Sequence, residues 1–232
     1  MFKRLLASIF FFVIFGLLGG FARRVYASPE SLQITPDTEE RRETFPARHS
    51  LTLLAEEPKA IPIRCFDVRE DGCIVLGFYQ AEKGTICVFS AEQEFVFGYT
   101  FSCAGDFNVF WEQDSLCIYF VRSEVIAKLD HEGNCVALGS PVKTDAFYDL
   151  QAHFESPVKQ LGDVTYCLEN DWIIGSDFCR LKIINADGTE SVFYDASKAH
   201  AWSAMGMILM ILVGVVGFVW VETTIVIRTP KG

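Results

Sequence analysis

The sequence predicts an all-β domain held between two transmembrane helices. Two long apolar runs without charged residues, 5–22 and 201–221, lie near the ends of the 232-residue chain. Between them, from residue 61 to residue 194, short runs rich in β-branched and aromatic residues alternate with turn signals. The first pattern is typical of membrane spans, and the second is typical of antiparallel sheets.

The N-terminal segment, residues 1–24, is predicted to be a transmembrane helix that acts as an uncleaved signal anchor. A basic start followed by a long apolar run is the pattern of a signal sequence, and Ala27 ends a possible cleavage site. The run of 18 residues is longer than an ordinary signal core, and Arg23 and Arg24 precede the site. These two features favour retention over the alternative, a cleaved signal peptide.

Residues 25–60 are predicted to form an extended linker. The segment combines four prolines with clustered charges, as in Glu39-Glu40-Arg41-Arg42, and few of its residues can bury apolar surface. The short run 51–54 (LTLL) is the exception, since it could add an edge strand to the domain that follows.

Residues 61–196 are predicted to form the β-domain. Its strands are marked by β-branched and aromatic runs, and Asp71-Gly72, Gly133-Asn134 and Asp187-Gly188 supply turns. The irregular stretch 140–160 is predicted to be an inserted loop or short helix. The predicted strands cover residues 73–79, 85–90, 94–101, 107–111, 116–121, 125–129, 135–138, 164–168, 172–174, 179–184 and 191–194.

The C-terminal segment, residues 201–227, is predicted to be the second transmembrane helix. Its apolar run of 21 residues would make a helix of roughly 30 Å, the thickness of the hydrocarbon core of a bilayer. Two such spans predict a two-pass protein of the cytoplasmic (plasma) membrane. The signal-like N-terminus and the acidic domain favour cytoplasmic tails and an extracytoplasmic β-domain.

Three stretches of the β-domain can be laid over one another. They begin at Phe66, Phe107 and Val164, and each consists of a strand, an acidic turn and an apolar strand, followed by two further strands. Phe66 and Phe107 lie 41 residues apart. This pattern resembles the four-stranded blades of β-propeller proteins and implies a stack of small antiparallel sheets. A β-sandwich or an open meander are the alternatives.

The distribution of charge excludes one class of partner. Residues 25–200 contain 14 of the 20 basic residues and 29 of the 30 acidic residues, which gives this segment a net charge of −15. Such a segment repels the phosphates of nucleic acids. The expected partners are therefore the lipid bilayer, other membrane or envelope proteins, and a second copy of the chain.

The eight cysteines form no Cys-x-x-Cys pair and have no histidine at the spacing of a zinc site. Most of them lie in apolar runs, where cysteine acts as a small hydrophobic residue. The sequence therefore favours buried thiols, with one or two disulfides as the alternative.

No residue carries a catalytic, cofactor-binding or metal-binding signature. Residues 185–190 (NADGTE) share part of a calcium loop but lack its first Asp and its last Glu, which favours a turn. The histidines, none of which has a catalytic motif around it, are His49, His131, His153 and His200.

The function predicted from the sequence is binding, sensing or an accessory role in a larger complex, without catalysis and without a cofactor. The rival hypotheses are a hydrolase-like enzyme, with Asp130, His131, His153 and Asp187 converging in one pocket, and a structural oligomeric component.

Overall fold

The computed structural model describes residues 32–170 and 177–198, together with Gly206, Met210, Val213 and Gly214. The described chain is all-β, with two short helices. It opens with β1 (Ile34–Pro36), helix α1 (Glu39–Arg48) and β2 (Thr52–Leu53). Three antiparallel sheets follow, each built on four strands that are consecutive in the chain.

The strands of the three sheets follow one another up and down. Sheet 1 contains β3 (Ile63–Val68), β4 (Ile74–Gln80), β5 (Lys83–Phe89) and β6 (Phe95–Ser102). Sheet 2 contains β7 (Phe107–Glu112), β8 (Ser115–Phe120), β9 (Val125–Leu129) and β10 (Cys135–Pro141). After helix α2 (Asp145–Glu155), sheet 3 contains β11 (Val158–Leu161), β12 (Val164–Glu169), β13 (Arg180–Ile184) and β14 (Glu190–Asp195).

The segment expected to be an extended linker contributes to the sheets. Strand β2 pairs with the last strand of sheet 1, so the edge strand expected from the LTLL run is confirmed, and β1 pairs with the last strand of sheet 2. Between them, Thr38 caps helix α1 by accepting a hydrogen bond from the backbone N–H of Arg41. Phe45 is the buried residue of this helix and packs on Phe120 of sheet 2. The composition of the segment does not predict this helix, because the helix packs on the domain through one buried aromatic ring, that of Phe45.

Sheet 1 is the middle layer of the domain, since both of its faces are covered. Residues such as Val75 and Ile86 pack against Val109 and Ile118 of sheet 2. On the opposite face, residues such as Leu76 pack against sheet 3. This double burial explains why the strands of sheet 1 are continuous apolar runs rather than alternating ones.

Helix α2 covers the face of sheet 2 that points away from sheet 1. Phe147 and Leu150 of the helix pack against Phe110, Tyr119 and Ile126. The chain then enters sheet 3 directly. The described layers therefore run in the order sheet 3, sheet 1, sheet 2 and α2.

The prediction of two flanking transmembrane helices is contradicted and is corrected here. Within the described ranges, no helix is long and apolar enough to cross a bilayer. Helices α1 and α2 have 10 and 11 residues, which corresponds to roughly 15 Å against a hydrocarbon core of about 30 Å. The predicted spans, residues 1–24 and 201–227, lie outside the described residues except for the four C-terminal positions named above.

The predicted localisation changes with this correction. The expectation of a two-pass protein of the plasma membrane, with an extracytoplasmic β-domain, rested on two helical spans, and no described helix provides one. A membrane span needs a continuous apolar helix of sufficient length, and the two described helices have only 10 and 11 residues. Residues 32–170 and 177–198 form an all-β fold with two short helices.

The third repeat unit is also corrected. The repeat pattern places its start at Val164, but its first strand is β11, which overlaps the end of the stretch expected to be a loop or short helix. Val164 instead begins the second strand, which pairs with β11 around a turn at Gly162. The sequence does not reveal β11 because Lys159 occupies one of its inward positions. The alternation of apolar and polar residues along a strand predicts an apolar residue there. The predicted strand 172–174 lies outside the described residues.

Gly77 tests the contact between sheets 1 and 2. A Cβ at this position would overlap Cys65 Sγ and lie 3.1 Å from Cε2 of Phe107. We expect Gly77→Ala to lower the free energy of unfolding by about 1–3 kcal/mol, the usual cost of overpacking. Urea unfolding measures it.

Two further variants control this prediction. Gly105→Ala should cost much less, since the nearest atom to its new Cβ is Arg122 Cβ at 3.4 Å. Adding Cys65→Ala to Gly77→Ala should recover part of the loss, because it removes the overlapping sulfur. Equal losses in Gly77→Ala and Gly105→Ala would contradict the proposed packing.

Candidate functional site

Asp67, His153 and Lys159 form a buried cluster of charged and polar side chains. Asp67 Oδ1 lies 2.8 Å from His153 Nε2 and 3.1 Å from Lys159 Nζ. The two nitrogen atoms are themselves 2.7 Å apart. The side chains of Asp67 and Lys159 are only 7% and 6% exposed, and that of His153 is 18% exposed.

The cluster joins the first strands of all three sheets. Asp67 lies on β3 of sheet 1, and Lys159 reaches it from β11 of sheet 3. The second carboxylate oxygen, Oδ2, accepts a hydrogen bond of 2.8 Å from the backbone N–H of Trp111 on β7 of sheet 2. His153 adds helix α2 to the same contact. One carboxylate thus links four elements.

The electrostatics of the cluster favour an ionised carboxylate. Burial alone would raise the pKa of Asp67, but the Lys159 ammonium and the hydrogen bond from His153 outweigh it and lower the pKa to about 2. Burial lowers the pKa of Lys159, and the Asp67 carboxylate offsets part of that effect. Each of these two buried charges therefore offsets the cost of removing the other from water.

The surroundings of the cluster are apolar. The ammonium of Lys159 lies 5.0 Å from the centre of the Phe66 ring. Cys65 precedes Phe66 on the same strand, and burial raises the pKa of its thiol to about 12, so the sulfur is protonated at neutral pH. The cluster consequently has a carboxylate, an imidazole and an amine, but its neighbouring thiol is not an activated nucleophile.

A second polar contact ties the other end of β3. Arg64 Nε donates a hydrogen bond of 3.0 Å to Asp106 in the loop between sheets 1 and 2. Its Nη1 lies 3.4 Å from Asp177, which precedes β13 of sheet 3. Strand β3 is therefore bonded to sheets 2 and 3 at Asp67, and at Arg64 to the residues that lead into β7 and β13.

The acidic residues considered for an enzyme pocket hold separate turns. Asp130 accepts hydrogen bonds of 2.9 Å from the backbone N–H groups of Glu132 and Asn134. Asp187 accepts one of 2.9 Å from the backbone of Thr189. The interpretation of residues 185–190 as a turn is confirmed by this bond.

The histidines have different surroundings. His49 ends α1 and contacts the rings of Phe45 and Phe120, and the His131 ring lies 6.1 Å from that of Phe97. His200 lies outside the described residues. Only His153, of the four residues named for an enzyme pocket, belongs to the buried cluster.

The thiols and acidic groups of the described residues do not form a second candidate site. Five of the eight cysteines are buried, in agreement with the buried thiols favoured by the sequence. Among residues 32–170 and 177–198, no three His, Cys, Asp or Glu side chains are placed to hold a metal ion. The cluster around Asp67 is therefore the one candidate site that the geometry singles out.

Sequence reasoning missed Asp67 and Lys159. One signal was available, because Asp67 interrupts the run Ile63–Val68 at the position where the second repeat has Asn108. Lys159 and His153 gave none, since each lies in a polar stretch that is compatible with solvent. Only the tertiary structure brings residues 67, 153 and 159 together.

Removing the charge of Asp67 should destabilise the whole domain. We expect Asp67→Asn to lower the free energy of unfolding by about 3–5 kcal/mol, because it leaves the Lys159 ammonium buried without a counter-charge. Urea unfolding provides the measurement. Asp163→Asn, at an exposed turn, is the matched control and should change stability by less than about 0.5 kcal/mol.

The contribution of Asp67 should also depend on pH. Its pKa of about 2 in the folded state lies below the ordinary value of 3.8. The carboxylate therefore stabilises the fold fully above about pH 4, and this contribution is lost as the pH falls through about 2. The stability difference between the unmodified chain and Asp67→Asn should shrink over that range, whereas a constant difference would contradict the assignment.

Neither the protein-family models nor the curated proteins that were compared with this chain give a match. The chain has several antiparallel sheets of many strands, and no family is identified for it. Its function must therefore be argued from its own geometry.

Proposed function

We propose that this chain is a non-catalytic interaction module that presents sheet 3 to a protein partner. The observation that supports this proposal is the unequal covering of the three sheets. Sheet 1 is covered on both faces, and sheet 2 is covered by sheet 1 and by α2. Sheet 3 packs on sheet 1 through one face, while its opposite face carries exposed side chains.

The outward face of sheet 3 has a defined cross-strand row. The pairing places Val158 opposite Cys167, Cys167 opposite Lys182, and Lys182 opposite Val192. Directly opposite residues of an antiparallel sheet share a face. The row therefore has an apolar side chain at each end, and Val158 and Val192 are 41% and 51% exposed. Exposed apolar positions on a rigid sheet suit protein recognition.

The module is proposed to have blades of the β-propeller type. Each sheet contains a meander of four consecutive strands, and the first strands β3, β7 and β11 meet at Asp67, as the inner strands of blades would. In this interpretation α2 occupies the side of sheet 2 where a further blade would pack. Sheet 3 would then be a terminal blade whose outward face remains available.

The charge of the chain narrows the class of partner. The full sequence has 30 acidic and 20 basic residues, a net charge of −10. This negative charge repels nucleic acids and a second copy of the same acidic chain. It also attracts cationic surfaces and accelerates encounters with them. The proposed partner is therefore a protein with a basic surface or segment.

Site-specific photocrosslinking tests this function. A photoreactive residue at Val192 should give a discrete product with the partner in cells, and the product should form again from the two purified proteins. Val96 of sheet 1 is the matched control, because it is a strand valine that is 56% exposed. Equal labelling from Val192 and Val96, or no product from Val192, would count against sheet 3 as the binding surface.

An enzyme is the second candidate, and the cluster of Asp67, His153 and Lys159 is the observation that favours it. A carboxylate, an imidazole and an amine within 3.1 Å of one another are groups used in proton transfer. The burial of Asp67 and the use of both its oxygens favour a structural role. Unfolding measurements separate the two, because removing a catalytic group commonly leaves stability unchanged or raises it.

A further inference from the structure

The outer edge of sheet 3 differs from the outer edges of the other two sheets. In sheet 1, the last strand is extended by β2, which pairs Thr52 with Thr100 and Leu53 with Tyr99. In sheet 2, β1 extends the last strand in the same way. Strand β14 is the last strand of sheet 3, and no strand among the described residues pairs with its outer side.

This edge is held in place by the core of the domain. Tyr194 of β14 is buried, and its hydroxyl group bonds both backbone groups of Ile61, at 2.7 Å to the nitrogen and 2.8 Å to the oxygen. Leu181, which lies opposite Tyr194 on β13, is fully buried. A strand that is fixed in this way is preorganised for the addition of another strand.

The side chains of β14 determine which strand fits. Its sequence, ESVFYD, has acidic residues at its two ends, Glu190 and Asp195, and no basic residue. An added strand gains from opposite charges across the pairing and loses from like charges. A second copy of β14 in antiparallel pairing would bring Glu190 near Asp195, whereas basic residues at both ends of a partner strand would complement them.

The nearest cations do not neutralise this edge completely. Lys182 lies 3.5 Å from Glu190 but is shared with Glu169, at 2.8 Å. Arg180 pairs with Asp195 at 3.3 Å. Each of these cations lies on β13, one strand inside the edge, and the side chains of Glu190 and Asp195 remain 58% and 50% exposed.

We infer that β14 is the docking edge for an extended basic segment of a partner protein, which adds to sheet 3 as a fifth strand. The segment has basic residues about five positions apart, the spacing of Glu190 and Asp195, with β-branched residues between them. Backbone hydrogen bonds supply the affinity, and the two acidic ends of β14 select the charge. This inference rests on the proposed function, since it specifies what the module binds and where.

Synthetic peptides test the inference on the full chain. The probe is the acetylated and amidated hexapeptide Lys-Thr-Val-Thr-Val-Lys, with binding measured by fluorescence anisotropy. We expect it to bind at least tenfold more tightly than the same peptide with Glu in place of both lysines. We also expect N-methylation of alternate backbone amides to weaken it at least tenfold, because methylated amides cannot pair with a strand edge. Equal binding of the methylated peptide would overturn strand addition.

A charge-reversal variant locates the site. Glu190→Lys should weaken the lysine peptide at least tenfold and strengthen the glutamate peptide. Glu92→Lys, on an exposed turn of sheet 1, changes the net charge equally and should leave both affinities within about twofold. Equal effects of the two variants would overturn β14 as the site and indicate only long-range attraction. The peptide comparisons use the unmodified chain, so they stand even if Glu190→Lys disturbs the fold.

The outcomes separate this inference from the proposed function. If crosslinking from Val192 identifies a partner but the lysine peptide does not bind β14, the inference fails and the interaction module stands. If the peptide binds β14 while Val192 gives no partner product, the edge is competent for strand addition and the proposed function fails.

Discussion

The carboxylate of Asp67 is the contact on which the arrangement of the three sheets depends. A single side chain accepts hydrogen bonds from the backbone of β7 and from Lys159 of β11, and it also contacts His153 of α2. Such a group is costly to bury unless every partner is in place. The cluster therefore specifies one arrangement of the sheets, because sliding sheet 3 would separate the buried charges of Asp67 and Lys159, and sliding sheet 2 would remove the hydrogen bond from Trp111.

Hydrophobic packing alone would specify this arrangement less sharply. The faces of sheet 1 are both rich in large apolar side chains, and apolar contacts are not directional. Hydrogen bonds near both ends of β3, at Asp67 and at Arg64, fix the strand against sheets 2 and 3. The polar contacts thus provide register, while the apolar layers provide most of the driving force for folding.

The order of the layers also accounts for the surface that remains free. Because α2 occupies the far face of sheet 2, sheet 3 packs against sheet 1 and its outward face carries exposed side chains. The segment before the sheets extends the edges of sheets 1 and 2 but not that of sheet 3. The two proposals, binding through sheet 3 and strand addition at β14, follow from this same asymmetry.

The sequence by itself determined the all-β character and most of the strands, because β-branched runs and glycine turns are local signals. It failed where the signal is not local. The buried Lys159 hid the strand pattern of β11. The apolar runs near the two ends of the chain predicted membrane spans that no described helix provides. Only the tertiary structure decided that Asp67, His153 and Lys159 meet, since residues 86 and 92 positions apart become neighbours through the stacking of sheets. Their contact depends on packing that no sequence window contains.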